Sequence, residues 1–178
     1  MQVSSGKWHS CAVLDDASLE CWGRNNDGQL GDGTNTDQST PVPVSFGGSK
    51  VLAVSAGGQH TCAVLDDWGV SCWGSNSNGQ LGIGSTPTTS NTPNSVTTGG
   101  NTVAVSAGGS HTCALLEDSS LKCWGANGKG QLGYGNTNEL PDARSVGVVL
   151  SSIISVALGT EPTLSIAPSK VLHCLGGS

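Results

Sequence analysis

Residues 57–82 read GGQHTCAVLDDWGVSCWGSNSNGQLG. Within this stretch, His60-Thr61-Cys62-Ala63-Val64-Leu65 and Val70-Ser71-Cys72-Trp73 are β-prone runs. Asp66-Asp67-Trp68-Gly69 between them is turn chemistry, so the two runs read as a hairpin. Upstream, Val51-Leu52-Ala53-Val54-Ser55 is another short strand, ending at Gly57-Gly58. A fourth strand is expected near Pro41-Val42-Pro43-Val44, where proline suits an edge because it cannot donate to a ladder. The Thr/Ser/Asn/Pro/Gly stretch 85–102 reads as a loop, and no segment sustains a 3.6-residue apolar period.

The same string occurs three times at a spacing of 51 residues. His9, His60 and His111 keep that spacing, as do Cys11, Cys62 and Cys113, and Cys21, Cys72 and Cys123. Trp22-Gly23, Trp73-Gly74 and Trp124-Gly125 follow, then the Gly-Gln-Leu-Gly tetrads at 28–31, 79–82 and 130–133. A fourth copy starts and then degrades: Pro162 stands for the His, Leu164 for the first Cys, Cys174 for the second and Leu175 for the Trp. The expectation is one repeat domain over 1–178, with repeats at about 3–53, 54–104 and 105–155 and a partial copy at 156–178. About four strands per repeat is the signature of a propeller blade, so the fold class is all-β.

Composition agrees. Of 178 residues, 35% are hydrophobic and 11% charged, against about 45–50% and about 25% in ordinary domains. That excludes coiled coils and helical bundles, and no run is long enough to span a membrane as a helix. The net charge is −6, with two Arg and scattered Lys, so no basic face is available for nucleic acid. Met1–Gly6 lacks the basic start and apolar run of a signal peptide.

The string resembles the regulator of chromosome condensation repeat: Gly-x-x-His-Thr/Ser, a hairpin, Trp-Gly, then Asn-x-x-Gly-Gln-Leu-Gly. All three full copies match, over about residues 3–176. The resemblance implies a propeller, usually of seven blades. It also implies a structural role for His9, His60 and His111, since the family keeps this His where no Cys is present.

Each full copy carries Cys-x9-Cys. A hairpin closed by the three-residue turn Asp15-Asp16-Ala17 sets Leu14 against Ser18 and, counting outward, Cys11 against Cys21 at a non-hydrogen-bonded pair. Opposed Cα atoms there lie about 4.5 Å apart, within disulfide reach. The same count pairs Cys62 with Cys72 and Cys113 with Cys123. Three intra-blade disulfides are therefore expected, with Cys174 unpaired. The exact turn type is less fixed in the second copy, where Trp68-Gly69 enters the turn. His9, Cys11 and Cys21 make a partial zinc set, but two opposed hairpin residues have poor tetrahedral reach, so no metal is expected. No cofactor is expected either.

Trp22, Trp73 and Trp124 read as blade-packing residues. Trp8 and Trp68 are not repeated, and such aromatics near turns are candidates for a partner surface. The acidic pairs Asp15-Asp16, Asp66-Asp67 and Glu117-Asp118 fall in the same turn of successive copies. A propeller puts them on one face, where they either serve the turns or steer a basic partner. The tetrads lack the lysine of a phosphate loop, and no nucleophile motif is present.

These residues favour a non-enzymatic, protein-binding propeller, extracellular or at the cell surface because persistent disulfides need an oxidising compartment; the alternative is intracellular. Two other functions stay open. One is guanine-nucleotide exchange with chromatin association, as in the founding member of the family. The other is a structural module of a larger surface protein. At 51 residues per repeat, a seven-bladed ring needs about 357 residues. Continuation in a longer chain, homodimerisation and a small self-closed ring are the assembly alternatives.

Overall fold

A computed structural model describes residues 1–145, 155–158, 163–166 and 172–175. Its unit is an antiparallel meander, the form that short strands joined by tight turns adopt. The first sheet runs β1 (Gln2–Ser5), β2 (His9–Val13), β3 (Leu19–Gly23), β4 (Gln38–Val44). The second runs β5 (Val51–Ala56), β6 (His60–Leu65), β7 (Val70–Ser75), β8 (Thr89–Val96). The third runs β9 (Thr102–Ala107), β10 (His111–Leu116), β11 (Leu121–Gly125), β12 (Leu140–Ser145). The fourth has three strands among the described residues: β13 (Ser155–Leu158), β14 (Thr163–Ile166) and β15 (Leu172–Leu175).

The first strands of successive sheets pack on one another, β1 on β5, β5 on β9 and β9 on β13. The sheets therefore stack as propeller blades, with these strands innermost. In each full blade the last strand is the outer edge. The stretch 85–102 is a strand in part, contrary to its loop-like composition. In its sheet β8 pairs with β7 alone, and an outer strand buries little, so Thr, Ser, Asn and Pro93 are tolerated there. Val96 is its one fully buried side chain.

The core lies between blades rather than within them. Cys11, Val13, Leu19, Cys21, Leu30 and Val44 of the first blade pack with Val51, Val54, Ala63, Leu65 and Trp73 of the second. Cys62, Val64, Val70, Cys72, Leu81 and Val96 meet Ala114 and Trp124 of the third in the same way. Strand alternation explains the arrangement. In the paired registers Cys62↔Cys72 and Thr61↔Trp73, the cysteines face the next blade and the Thr–Trp pair faces the previous one.

Candidate functional site

All three hairpins obey the three-residue turn. Leu14 N donates to Ser18 O, Leu65 N to Gly69 O and Leu116 N to Ser120 O, at 2.9–3.0 Å. The third turn residue is left-handed in each: Ala17 at φ 66°, Trp68 at 63° and Ser119 at 66°. Trp68-Gly69 thus leaves the second turn unchanged. Cys11–Cys21, Cys62–Cys72 and Cys113–Cys123 are joined as disulfides, each with Cα atoms 4.1 Å apart and no solvent exposure. Cys174 lies on β15, with Leu164 as its register partner; its side chain lies outside the described ones.

The repeat histidines are buried, and His9 and His60 link blades. His9 Nε2 lies 2.8 Å from Thr61 Oγ1, and His60 Nε2 lies 2.9 Å from Thr112 Oγ1. Thr61 donates its one hydroxyl proton to Gln29 O at 2.8 Å, as Thr112 does to Gln80 O. The histidine nitrogen must therefore be the donor, which fixes the neutral Nε2–H tautomer. Burial holds His9 and His111 down to about 4. Burial, reinforced by repulsion from His9 and His111, holds His60 down to about 3. Gly57 lets the His60 ring approach, since a Cβ there would stand 2.5 Å from Cε1. With both thiols joined to each other, the partial zinc set keeps only the buried His9 Nδ1 lone pair. No group of three metal-ligating side chains occurs among the described residues.

Tetrad carbonyls receive the next blade. Gln29 O accepts Trp73 Nε1–H at 2.9 Å as well as the Thr61 hydroxyl, and Gln80 O accepts Trp124 Nε1–H at 2.9 Å. Gly31, at φ +74°, permits the contact, because a Cβ there would stand 2.6 Å from Trp73 Nε1. Trp73 and Trp124 are fully buried. Trp22 is only partly buried, and no tetrad precedes it among the described residues.

Sequence reasoning placed an Asn three residues ahead of each tetrad but gave it no role. Asn25, Asn76 and Asn127 are buried and staple the loop after the third strand of each blade. Asn76 Oδ1 accepts Leu81 N at 3.0 Å, and its Nδ2 donates to Gly84 O and Pro87 O. Asn127 repeats this with Leu132 N, Asn136 O and Asn138 O. A polar residue kept at the 51-residue period was the signal for that role.

The acidic turns line one face. Ala17 O accepts Val51 N, Asp66 N donates to Lys50 O, Trp68 O accepts Thr102 N, and Glu117 N donates to Asn101 O, all at 2.9–3.0 Å. These bonds join three hairpin turns and two blade connections into a continuous arc. The second acid of each pair serves its own turn: Asp16 accepts Ser18 N, Asp67 accepts Gly69 N and Asp118 accepts Ser120 N. Hydrogen bonds from the Ser18 and Ser120 side chains, then from their backbones, lower the Asp16 and Asp118 pKa values. Two of the first acids reach across: Asp66 Oδ1 accepts Lys50 N at 3.2 Å, and Glu117 Oε2 accepts Asn101 Nδ2 at 3.0 Å, while Asp15 lies 3.7 Å from the Met1 ammonium.

The two unrepeated tryptophans do not share a site. Trp68, 46% exposed, sits on the acidic arc. Trp8, 55% exposed, precedes β2 at the opposite end of its blade. There its carbonyl accepts Arg24 N and Lys7 Nζ lies 5.6 Å from the ring centroid.

Blades stacked about a common inner row, the second and third each keyed into the previous one by a tetrad carbonyl, define a repeat-built β-propeller. Residues 21–64 and 69–115 match the regulator of chromosome condensation (RCC1) repeat, and a second description of that repeat matches 2–29, 51–80 and 102–131. The chain belongs to the regulator of chromosome condensation repeat family. The human probable E3 ubiquitin-protein ligase HERC6 is 38% identical over 172 residues, 93% of this chain and 17% of that protein. The ultraviolet-B receptor UVR8 of Arabidopsis thaliana is 33% identical over 183 residues, 100% of this chain and 41% of that protein. This chain thus spans well under half the length of these relatives. Among solved structures, human WBSCR16 superimposes with a TM-score of 0.88 at 23% identity, over 99% of this chain and 47% of that one.

Proposed function

We propose that this chain is a non-enzymatic, protein-binding propeller segment working in an oxidising, extracytoplasmic compartment, as one repeat domain over 1–178. The observation that carries the reading is the joined arc of turns. It puts Trp68 and six carboxylates, Asp15, Asp16, Asp66, Asp67, Glu117 and Asp118, on one face of a stapled scaffold. Exposed aromatics on rigid turns are the usual anchors of protein contacts. The disulfide pairs support the compartment.

The test places a photo-crosslinking residue at position 68 and, separately, at position 8, and irradiates the protein in medium and extracts of its source cells. A protein adduct from position 68 and not from position 8 is the expected result. Adducts from position 8 alone, or from neither, would sink the reading. Thiol titration of the unfolded, unreduced protein checks the compartment: one reactive thiol of seven is expected, and seven would overturn it.

A further inference from the structure

On the acidic face, two apolar side chains have no packing reason to be where they are. Leu52 is 46% exposed and Val103 is 43% exposed. Both are bulge residues. Val51 pairs with Leu65 and Ala53 with Val64, leaving Leu52 out of the ladder. Thr102 pairs with Leu116 and Ala104 with Leu115, leaving Val103 out. A bulge re-aims a side chain, and here both are turned to solvent. Each sits beside the arc: Val51 N bonds Ala17 O, and Thr102 N bonds Trp68 O. The later copies all carry a large apolar residue at this position in the sequence: Leu52, Val103 and Ile154. Solvent exposure gives no reason for that identity.

Trp68 lies between these two positions along the arc, and carboxylates rim all three. The cations beside them are Lys50, the Met1 ammonium 3.7 Å from Asp15, and Lys122, whose charge acts on Asp118. The same face holds two grooves. One, of about 360 Å³, runs between Asp16–Leu19 and Val44–Val51. The other, of about 340 Å³, has Glu117 and Asp118 on its lip. Apolar patches rimmed by charge mark interaction surfaces, and the sign of the rim selects the partner.

We propose that Leu52, Trp68 and Val103 form the apolar centre of a docking surface for a basic amphipathic segment of a partner protein, whose Lys and Arg side chains meet the carboxylate rim. This rests on the protein-binding reading above and adds the chemistry of the partner. The test titrates three synthetic peptides of equal length at 0.15 M salt, by calorimetry and tryptophan fluorescence: Lys with Leu and Phe, Lys with Ser and Gly, and Glu with Leu and Phe. The first is expected to bind at least about ten-fold more tightly than the others. A Leu52→Ser/Val103→Ser variant, whose changes lie at exposed positions, is expected to weaken it by about ten-fold. Equal binding of the Lys–Ser–Gly peptide would mean that the carboxylates act alone. Preference for the Glu peptide, no binding at all, or an unaffected variant likewise overturns the proposal. Any of these with the position-68 crosslink intact refutes the basic amphipathic partner and leaves the protein-binding reading standing.

Discussion

His9 of the first blade donates its Nε2–H to the hydroxyl of Thr61 in the second, and Thr61 passes its own proton to Gln29 O. The link crosses a blade junction twice. Thr61→Val strands the His9 donor in a dry interface and removes one of two donors to Gln29 O. A loss of about 2 kcal/mol is expected, because an unpaired buried donor bears its full desolvation penalty. Thr61→Ser keeps the hydroxyl and should cost under about 1 kcal/mol. Urea melts of the two variants check this; equal losses would show that the methyl, not the hydroxyl, matters.

The tautomer carries a pH consequence. In the unfolded chain these histidines titrate near the ordinary 6.5, whereas in the fold His9 and His111 are held at about 4 and His60 at about 3. Between those values the unfolded state binds more protons, so stability is full above pH 6.5 and falls as pH drops toward 4. Each histidine contributes roughly 1.4 kcal/mol per pH unit within its window. Denaturant midpoints at pH 7.5, 6 and 5 should fall in that order; a flat profile contradicts the neutral buried ladder.

The hairpin register was legible because a three-residue turn fixes which residues face each other, and Cys11 against Cys21 follows by counting. The strand in 85–102 was not, since an outer strand needs an apolar residue only at Val96. The opposite placement of Trp8 and Trp68 follows from strand direction: one precedes β2, and the other lies in the turn after β6. The exposure of Leu52 and Val103 had no sequence signal, because a bulge breaks the alternation from which burial is read. Partly buried Trp22 beside fully buried Trp73 and Trp124 shows why. Identical residues differ by what packs on them, and a tetrad from a preceding blade is not encoded in the residue's own repeat.

The staples should matter most where the core is thinnest. Each disulfide closes a hairpin of about ten residues, worth roughly 2–3 kcal/mol in the chain-entropy account. Cys62→Ala/Cys72→Ala also opens a cavity beside Leu81 and Trp124, which share its cluster. The double variant is expected to lose about 3 kcal/mol or more. Wild type should lose stability with reductant, and the variant less so. Reductant-independent melting of the wild type would show that the bonds are not formed.

Trp68 stands where its backbone favours glycine. A bulky residue at φ 63° is strained, and nearly half of this side chain is exposed, so little packing is returned. Trp68→Gly should therefore leave the melting temperature unchanged or raise the stability by up to about 1 kcal/mol. The same substitution removes the aromatic from the acidic face. If the face binds a protein, the variant gains stability while losing affinity by about ten-fold or more, and Ala17→Gly, at the same turn position of the first blade, gains stability without that loss. Calorimetry paired with titration against the crosslinked partner separates the cases. A Trp68→Gly variant that melts several degrees lower would assign the indole a packing role and remove it from the binding surface.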